Sequence, residues 1–207
     1  MKTLAIIGAS GHGKVVADTA IQCGWTHIIY FDDAWPTLTT HGKWPVLGTP
    51  ETLTQHLQGF SAIIVAIGDN HIRLHKSLAL QKAALPLASL IHPNAYVASD
   101  THIEDGSIIC AGAIVQPGTS IGLAGIVNTI ATVDHDCSLA SGVHISPGAN
   151  LAGSVSVGEC TWVGIGASIN QSLSVGANVV IGASAAVTKD ISDGVKVIGI
   201  PAKKICL

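Results

Sequence analysis

Val133-Asp134-His135-Asp136-Cys137-Ser138-Leu139-Ala140-Ser141-Gly142-Val143-His144-Ile145 places an aliphatic residue at its first, seventh and thirteenth positions. The spacing runs unbroken from Val97 to Val187, and Ile91 extends it backwards. An α-helix repeats near 3.6 residues and a strand near 2, so neither explains a period of six. A chain coiling as a three-sided parallel β-helix, one hexad per side, does. The second inward position, four residues after each aliphatic, is mostly small: Ala113, Thr119, Ala131, Cys137, Ala149, Ala167. That suits a narrow interior. One coil takes three hexads and climbs about 4.8 Å, so residues 97–190 make roughly five coils, about 25 Å tall. Residues 18 apart therefore stack, which predicts which side chains meet.

Residues 1–90 have another rhythm. Leu4–Ile7, Ile28–Phe31 and Ala62–Ile67 read as buried strands. Helical stretches follow the first, to about Cys23, and the last, from about His71 to Ala84. The alternation predicts a small Rossmann-like parallel α/β sheet. Residues 35–44, with Pro36 and Gly42, read as a loop, and Leu87–His92 as the connection to the coil. The expected organisation is an α/β domain over 1–90 and a left-handed parallel β-helix of hexapeptide repeats over 91–207.

Ligands of open parallel sheets bind beyond the carboxyl ends of the strands. There the chain has Gly8-Ala9-Ser10-Gly11-His12-Gly13, whose N–H groups at a helix start suit phosphate. Asp32-Asp33 is placed to accept hydrogen bonds from a ribose or base, and Gly68-Asp69-Asn70, with Arg73 one turn on, forms the opposite lip. The turn is not a clean G-x-G-x-x-G, so a nucleotide or nucleotide-linked ligand is expected in preference to NAD.

In the coil, His135 lies at a corner between Asp134 and Asp136, and the residue stacked on it is Gly153. His144 is half a coil away, so the two histidines share a site only if a neighbouring subunit brings them together. His144 also lies near a corner line of Pro147, Ile165 and Ala183 that suits a long, thin ligand. These positions predict an oligomer with shared sites.

A net charge of −3 and 11% charged residues give no basic footprint for nucleic acid. No apolar run reaches the roughly 20 residues of a membrane span, so no membrane insertion is expected. Met1-Lys2-Thr3 leads straight into a strand, unlike a signal peptide. Five scattered cysteines without a CxxC pair favour a reducing, cytoplasmic setting. His102, His135 and His144 lack the spacing of a metal site, so no metal is expected.

The chain resembles the bacterial nucleotide-sugar N-acetyltransferases that acetylate a UDP-linked 4-amino-4,6-dideoxy sugar, as in bacillosamine biosynthesis. Sialic acid O-acetyltransferases are relatives. The resemblance spans the chain: Ile7–Gly13, Phe31-Asp32-Asp33, Ala66–Asn70 with Ile72-Arg73, Leu90–Pro93, Val127-Asn128-Thr129 through His135-Asp136, and Ile198–Lys203. It implies acetyl-CoA as co-substrate, a UDP-amino-sugar as acceptor, a homotrimer with acetyl-CoA between subunits, and a place in surface polysaccharide or glycoprotein biosynthesis. By the same resemblance His135 is the general base and Asp136 the acid that raises its basicity. His144, Gly153, Ile165 and Ala183 contact acetyl-CoA. Ser10, Gly11, His12, Asp32, Asp33 and Gly68 contact the nucleotide-sugar, and His71 replaces an acidic residue. O-acetylation of a sugar hydroxyl, a GDP-linked amino sugar, and a trimeric binding module without activity are the alternatives.

Overall fold

The computed structural model describes residues 2–205; Cys206 lies outside them. The first strands and helices fall where the alternation places them: β1 (Thr3–Ile7), α1 (Gly11–Gln22), β2 (His27–Phe31). Two short strands follow, β3 (Thr40–His41) and β4 (Trp44–Gly48), then β5 (Ala62–Val65) and α2 (Asn70–Lys82). The sheet order is β3-β4-β2-β1-β5. The expected loop over 35–44 thus ends in a hairpin, turned at Gly42 with φ +61°. Pro45 does not prevent it, because pairing of β4 with β2 begins only at Val46, so the missing N–H falls at the strand start. A 3-10 helix over Pro50–Gly59, absent from the sequence reading, covers the sheet with Leu53.

The connector does more than link. Leu87 bridges Ile63 at the edge of the first sheet, and three residues later Leu90 pairs with Ile108 in the coil. From there two-residue strands visit three parallel sheets in turn. The docking face carries Leu90–Ile91, Ile108–Ile109, Ile126–Val127, His144–Ile145, Trp162–Val163 and Val180–Ile181. The second face runs from Tyr96–Val97 to Ala186–Val187, and the third from His102–Ile103 to Ser174–Val175. Pairing steps by 18 residues, as Ile114↔Thr132↔Asn150 illustrates, until the last coil, where Val180↔Lys196 and Val175↔Ile191 step by 16.

From Ile109 to Val187 every sixth aliphatic is at most 3% exposed. Each contributes about 1.5–3 kcal/mol by leaving water. Three residues after the aliphatics the corners turn through the left-handed region, at Gly118, Ala124, Ile130, Asp136, Gly142 and Cys160 among others. Aspartate tolerates this conformation better than most side chains.

Outward-facing Leu90, Ile108 and Ile126 are buried in one cluster with Leu4, Ile6 and Ile64, so the α/β sheet sits on the docking face. Arg73, 1% exposed, fastens it. Its Nε donates to the Ala124 carbonyl at 2.9 Å and Nη2 to the Gly142 carbonyl at 2.7 Å. Nη1 reaches the Ile67 and Gly68 carbonyls, Nη2 also reaches Asn70 Oδ1, and Asn70 Nδ2 donates to the Cys160 carbonyl. Residues 124, 142 and 160 stack at one corner in successive coils. The coil-to-coil ladder uses the carbonyls of Leu123 and Ser141, leaving these free for the clamp. Buried polar groups must be paired, and here each domain satisfies the other's. No helix among the described residues is long and apolar enough to cross a membrane.

Candidate active site

The carboxyl ends of β1, β2 and β5 surround a pocket of about 190 Å³ lined by Gly8, Ser10, Asp32, Asp33 and Gly68. Gly8, at φ +107°, lets the turn pass close to β5: a Cβ there would stand 2.9 Å from the Ala66 carbonyl oxygen. Gly13 brings α1 against the turn, where a Cβ would meet the Gly8 carbonyl oxygen at 2.3 Å. Tyr30 Oη donates to the Gly13 carbonyl and His41 Nε2 bonds the Ser10 carbonyl, so β2 and the unforeseen hairpin both hold the helix start.

The two aspartates, alike in sequence, part company here. Asp32 accepts from the Ala9 N–H at 2.6 Å and the Ala34 N–H at 2.9 Å, which commits both its oxygens to the turns. Asp33 is exposed and free to meet a ligand. Ser10 and Gly11 are also exposed, at the start of α1. His12 departs from the group: its Nε2 is sealed from solvent without a hydrogen-bond partner. Burial, and then the charge of Arg73, push its pKa down to about 4. Arg73 is no ligand-facing lip; all its donor nitrogens are engaged in the clamp.

Gly68 is shared with a larger cleft of about 460 Å³ between the start of α2 and the docking face, lined also by Asp69, Asn70, His71, His144, Trp162 and Val180. Trp162 stacks on His144 with ring centroids 6.2 Å apart. The 18-residue step that placed Gly153 on His135 would have found this pair too. His144 has its pKa lowered to about 3, by burial first and then by repulsion from Arg73 and His12. Ile165, 59% exposed, and Ala183, also exposed, lie on the corner following this face, as the stacking predicted.

His135 occupies the opposite corner, between the second and third faces, and is exposed. Its Nδ1–H donates to Asp136 Oδ2 at 2.8 Å, while Asp134 Oδ1 accepts from the His135 N–H. Asp136 reaches the ring because it sits in the left-handed corner conformation, φ +57°. Two glycines make room: a Cβ at Gly153 would come within 2.5 Å of Cε1 and Nε2 of His135, and one at Gly118 within 2.5 Å of Asp136 Oδ1. The bond to Asp136, helped by the charges of Asp134 and Asp136, raises the His135 pKa. An imidazole whose Nδ1–H is held by a carboxylate keeps its Nε2 lone pair for an incoming proton. Cys137, beside this pair in sequence, points inward, and its Sγ donates to the Ala152 carbonyl, so it offers no nucleophile. Among the described residues no group of three or more His, Cys, Asp or Glu is placed to hold a metal.

Residues 3–78 match the family model for the PglD N-terminal domain. Over 114 residues the chain is 36% identical to the UDP-N-acetylbacillosamine N-acetyltransferase of Bacillus subtilis (strain 168), covering 54% of this chain and about half (52%) of that relative. The acetyltransferase domain of PglB from Neisseria gonorrhoeae FA1090, in complex with acetyl coenzyme A, superposes with a TM-score of 0.91 at 42% identity, over 99% of both chains. PerB from Caulobacter crescentus, in complex with CoA and GDP-perosamine, gives a TM-score of 0.94 at 35% identity, over 100% of this chain and 98% of that one.

Proposed function

The chain belongs to the nucleotide-sugar N-acetyltransferases, and on that premise we propose that it carries the acetyl group of acetyl-CoA to the 4-amino group of a UDP-linked 4-amino-4,6-dideoxy-N-acetylhexosamine. The observation that carries the mechanism is the His135–Asp136 pair, with Nε2 of an exposed imidazole free and Nδ1–H held. The sugar nitrogen attacks the thioester carbonyl, the C–N bond forms, and the proton leaving nitrogen goes to His135 Nε2. The C–S bond then breaks, and CoA leaves as the thiol once it takes a proton. Asp136 stabilises the imidazolium that forms in between. Transfer is direct, without an acyl-enzyme, in keeping with the inward Cys137.

The nucleotide lies against Ser10, Gly11, Asp33 and Gly68, with Asp32 holding the turn. Acetyl-CoA runs along the corner of Ile165 and Ala183 towards His144. Within one chain His135 is on the corner opposite the docking face, so a second copy must supply it to the cleft at His144. The reading is accordingly a homotrimer with acetyl-CoA between subunits, serving surface-glycan or glycoprotein biosynthesis.

A GDP-linked acceptor is the second reading, favoured by the likeness to the GDP-perosamine complex. Thiol release from acetyl-CoA, followed with UDP-4-amino-4,6-dideoxy-N-acetylglucosamine and GDP-perosamine side by side, separates the two. The expected result is rapid release with the UDP sugar. Release with the GDP sugar alone would reassign the acceptor. Release with neither, but with sialic acid, would move the activity to O-acetylation.

A further inference from the structure

The outward side chains of the docking face form a column, one per coil. Its first three, Leu90, Ile108 and Ile126, are buried under the α/β sheet. The column then runs out from beneath that domain through His144, Trp162 and Val180, and these three line the cleft of about 460 Å³. Trp162 is 47% exposed there. Its Nε1–H already donates to Ser146 Oγ, and His144 stacks on the ring. The indole is therefore held flat and offers the cleft apolar surface without a donor. An uncovered apolar side chain of this size on the floor of a cleft is a seat for the apolar face of a ligand.

The wall opposite is polar. At the start of α2, Asp69 caps the helix with Oδ1 on the Ile72 N–H, its Oδ2 has no partner among the described residues, and His71 is exposed. Asn70 adds little, since both ends of its amide serve the clamp. A floor without donors beside a polar wall suits a pyranose, which carries C–H bonds on its faces and polar groups around its rim. Gly68 lines both this cleft and the smaller pocket, so a nucleotide held in the smaller pocket would carry its sugar past Gly68 onto the floor. Ile165 and Ala183, the corner read as the path of acetyl-CoA, are not among the residues that line the cleft.

We infer that Trp162 is the platform on which the acceptor pyranose lies, and that with Val180 it selects a sugar whose C6 is a methyl group over one whose C6 carries a hydroxyl. The inference deepens the proposed acetyltransferase reading and rests on it for the identity of the sugar. A C6 hydroxyl laid on this floor would lose its water without a replacement, because the indole N–H is occupied and valine has no polar atom. A methyl group in the same place buries apolar area instead.

The test measures binding by calorimetry, without acetyl-CoA, for UDP, UDP-4-amino-4,6-dideoxy-N-acetylglucosamine and the same sugar with its C6 hydroxyl restored. Wild type should bind the 6-deoxy sugar roughly 10–100-fold more tightly than the 6-hydroxy one. Trp162→Ala should weaken the 6-deoxy sugar about tenfold and leave UDP within about twofold. Trp162→Phe, which keeps a ring on the floor, should stay within about threefold of wild type. Val180→Thr keeps the shape and supplies a hydroxyl, so the preference should narrow to a few-fold even if Trp162→Ala does not fold. In steady-state transfer Trp162→Ala should raise KM for the sugar, with KM for acetyl-CoA within about threefold. Equal binding of the two sugars by wild type would overturn the inference. So would a Trp162→Ala protein that loses acetyl-CoA and keeps the sugar, which would give the floor to pantetheine while leaving the acetyltransferase reading intact. The expected binding pattern with no thiol release from acetyl-CoA would instead sink the acetyltransferase reading and leave the platform supported.

Discussion

The exposed corner at His135 and the docking face at His144 are nine residues apart on the same repeat, yet they give the same side chain opposite chemistry. At the corner the ring stands in solvent beside a carboxylate, and its pKa rises. On the docking face the α/β domain covers the ring and brings up a buried guanidinium, and its pKa falls to about 3. The repeat supplies rigid positions and no chemistry of its own; the flanking acids decide one case and the docked domain decides the other. A regular scaffold can thus hold one histidine of raised pKa and one of lowered pKa without either disturbing the coil.

The largest way to break this contrast is at the corner. His135→Ala should lower kcat by about 10²–10⁴ with little change in acetyl-CoA binding, read by thiol release and by calorimetry. Near-full activity would remove His135 from its role. Next comes the clamp, whose charge adds to burial in depressing the His144 pKa. Arg73→Met should cost roughly 3–5 kcal/mol of stability, because it strands the buried Ala124 and Gly142 carbonyls, and should show as a lower urea midpoint. An unchanged midpoint would mean that apolar packing alone holds the two domains.

The acid response sharpens the comparison. His12 and His144 are neutral when folded, with pKa values near 4 and 3, against 6.5 when unfolded. Below pH 6.5 the unfolded chain therefore binds protons that the folded chain refuses. The stability these groups contribute is whole above 6.5 and is lost as pH falls towards their folded values. At pH 5 each costs about 2 kcal/mol. His144→Gln should flatten the drop in melting temperature between pH 7 and 5 by about half, and an unaltered drop would place the titrating group elsewhere. At the corner the sign is reversed. Asp136→Asn removes the main cause of the raised pKa, so the rising limb of kcat/KM against pH should move to lower pH, with a plateau about tenfold lower. A limb that stays put would deny the pair. Smallest is Gly153→Ala, whose Cβ would displace the imidazole: a few-fold loss of kcat with the fold intact.

The coil was legible because stacking turns sequence distance into spatial contact. Adding 18 finds Gly153 above His135 without any coordinates, and it equally finds Trp162 above His144. The rule fails in the last coil, where two residues are missing from the step; the aliphatic series stops at Val187 and its next position is Asp193, which marks the end of the regular repeat but not the size of the loss. The α/β domain was legible in its three main strands, whose apolar runs are continuous. It was opaque at the hairpin, where Gly42 and Pro45 read as breakers. Contacts between domains were beyond reach. Nothing in the spacing of Asn70 and Arg73 points to residues 124, 142 and 160, and nothing separates Asp32 from Asp33 until Ala9 and Ala34 are seen to occupy the first.

The clamp of Asn70 and Arg73 on three successive corner carbonyls makes the coil a graduated rule, with marks about 4.8 Å apart. The α/β domain is pinned to marks 124, 142 and 160, and so is the height along the axis of the pocket lined by Gly8, Asp33 and Gly68. Coils inserted beyond Cys160 would lengthen the molecule and leave that height untouched. A coil inserted between Ala124 and Cys160 would shift the corner of His135 against the cleft or pull a mark from its donor. Length is therefore free to vary at one end of this architecture and locked at the other, a practical guide for grafting its repeats.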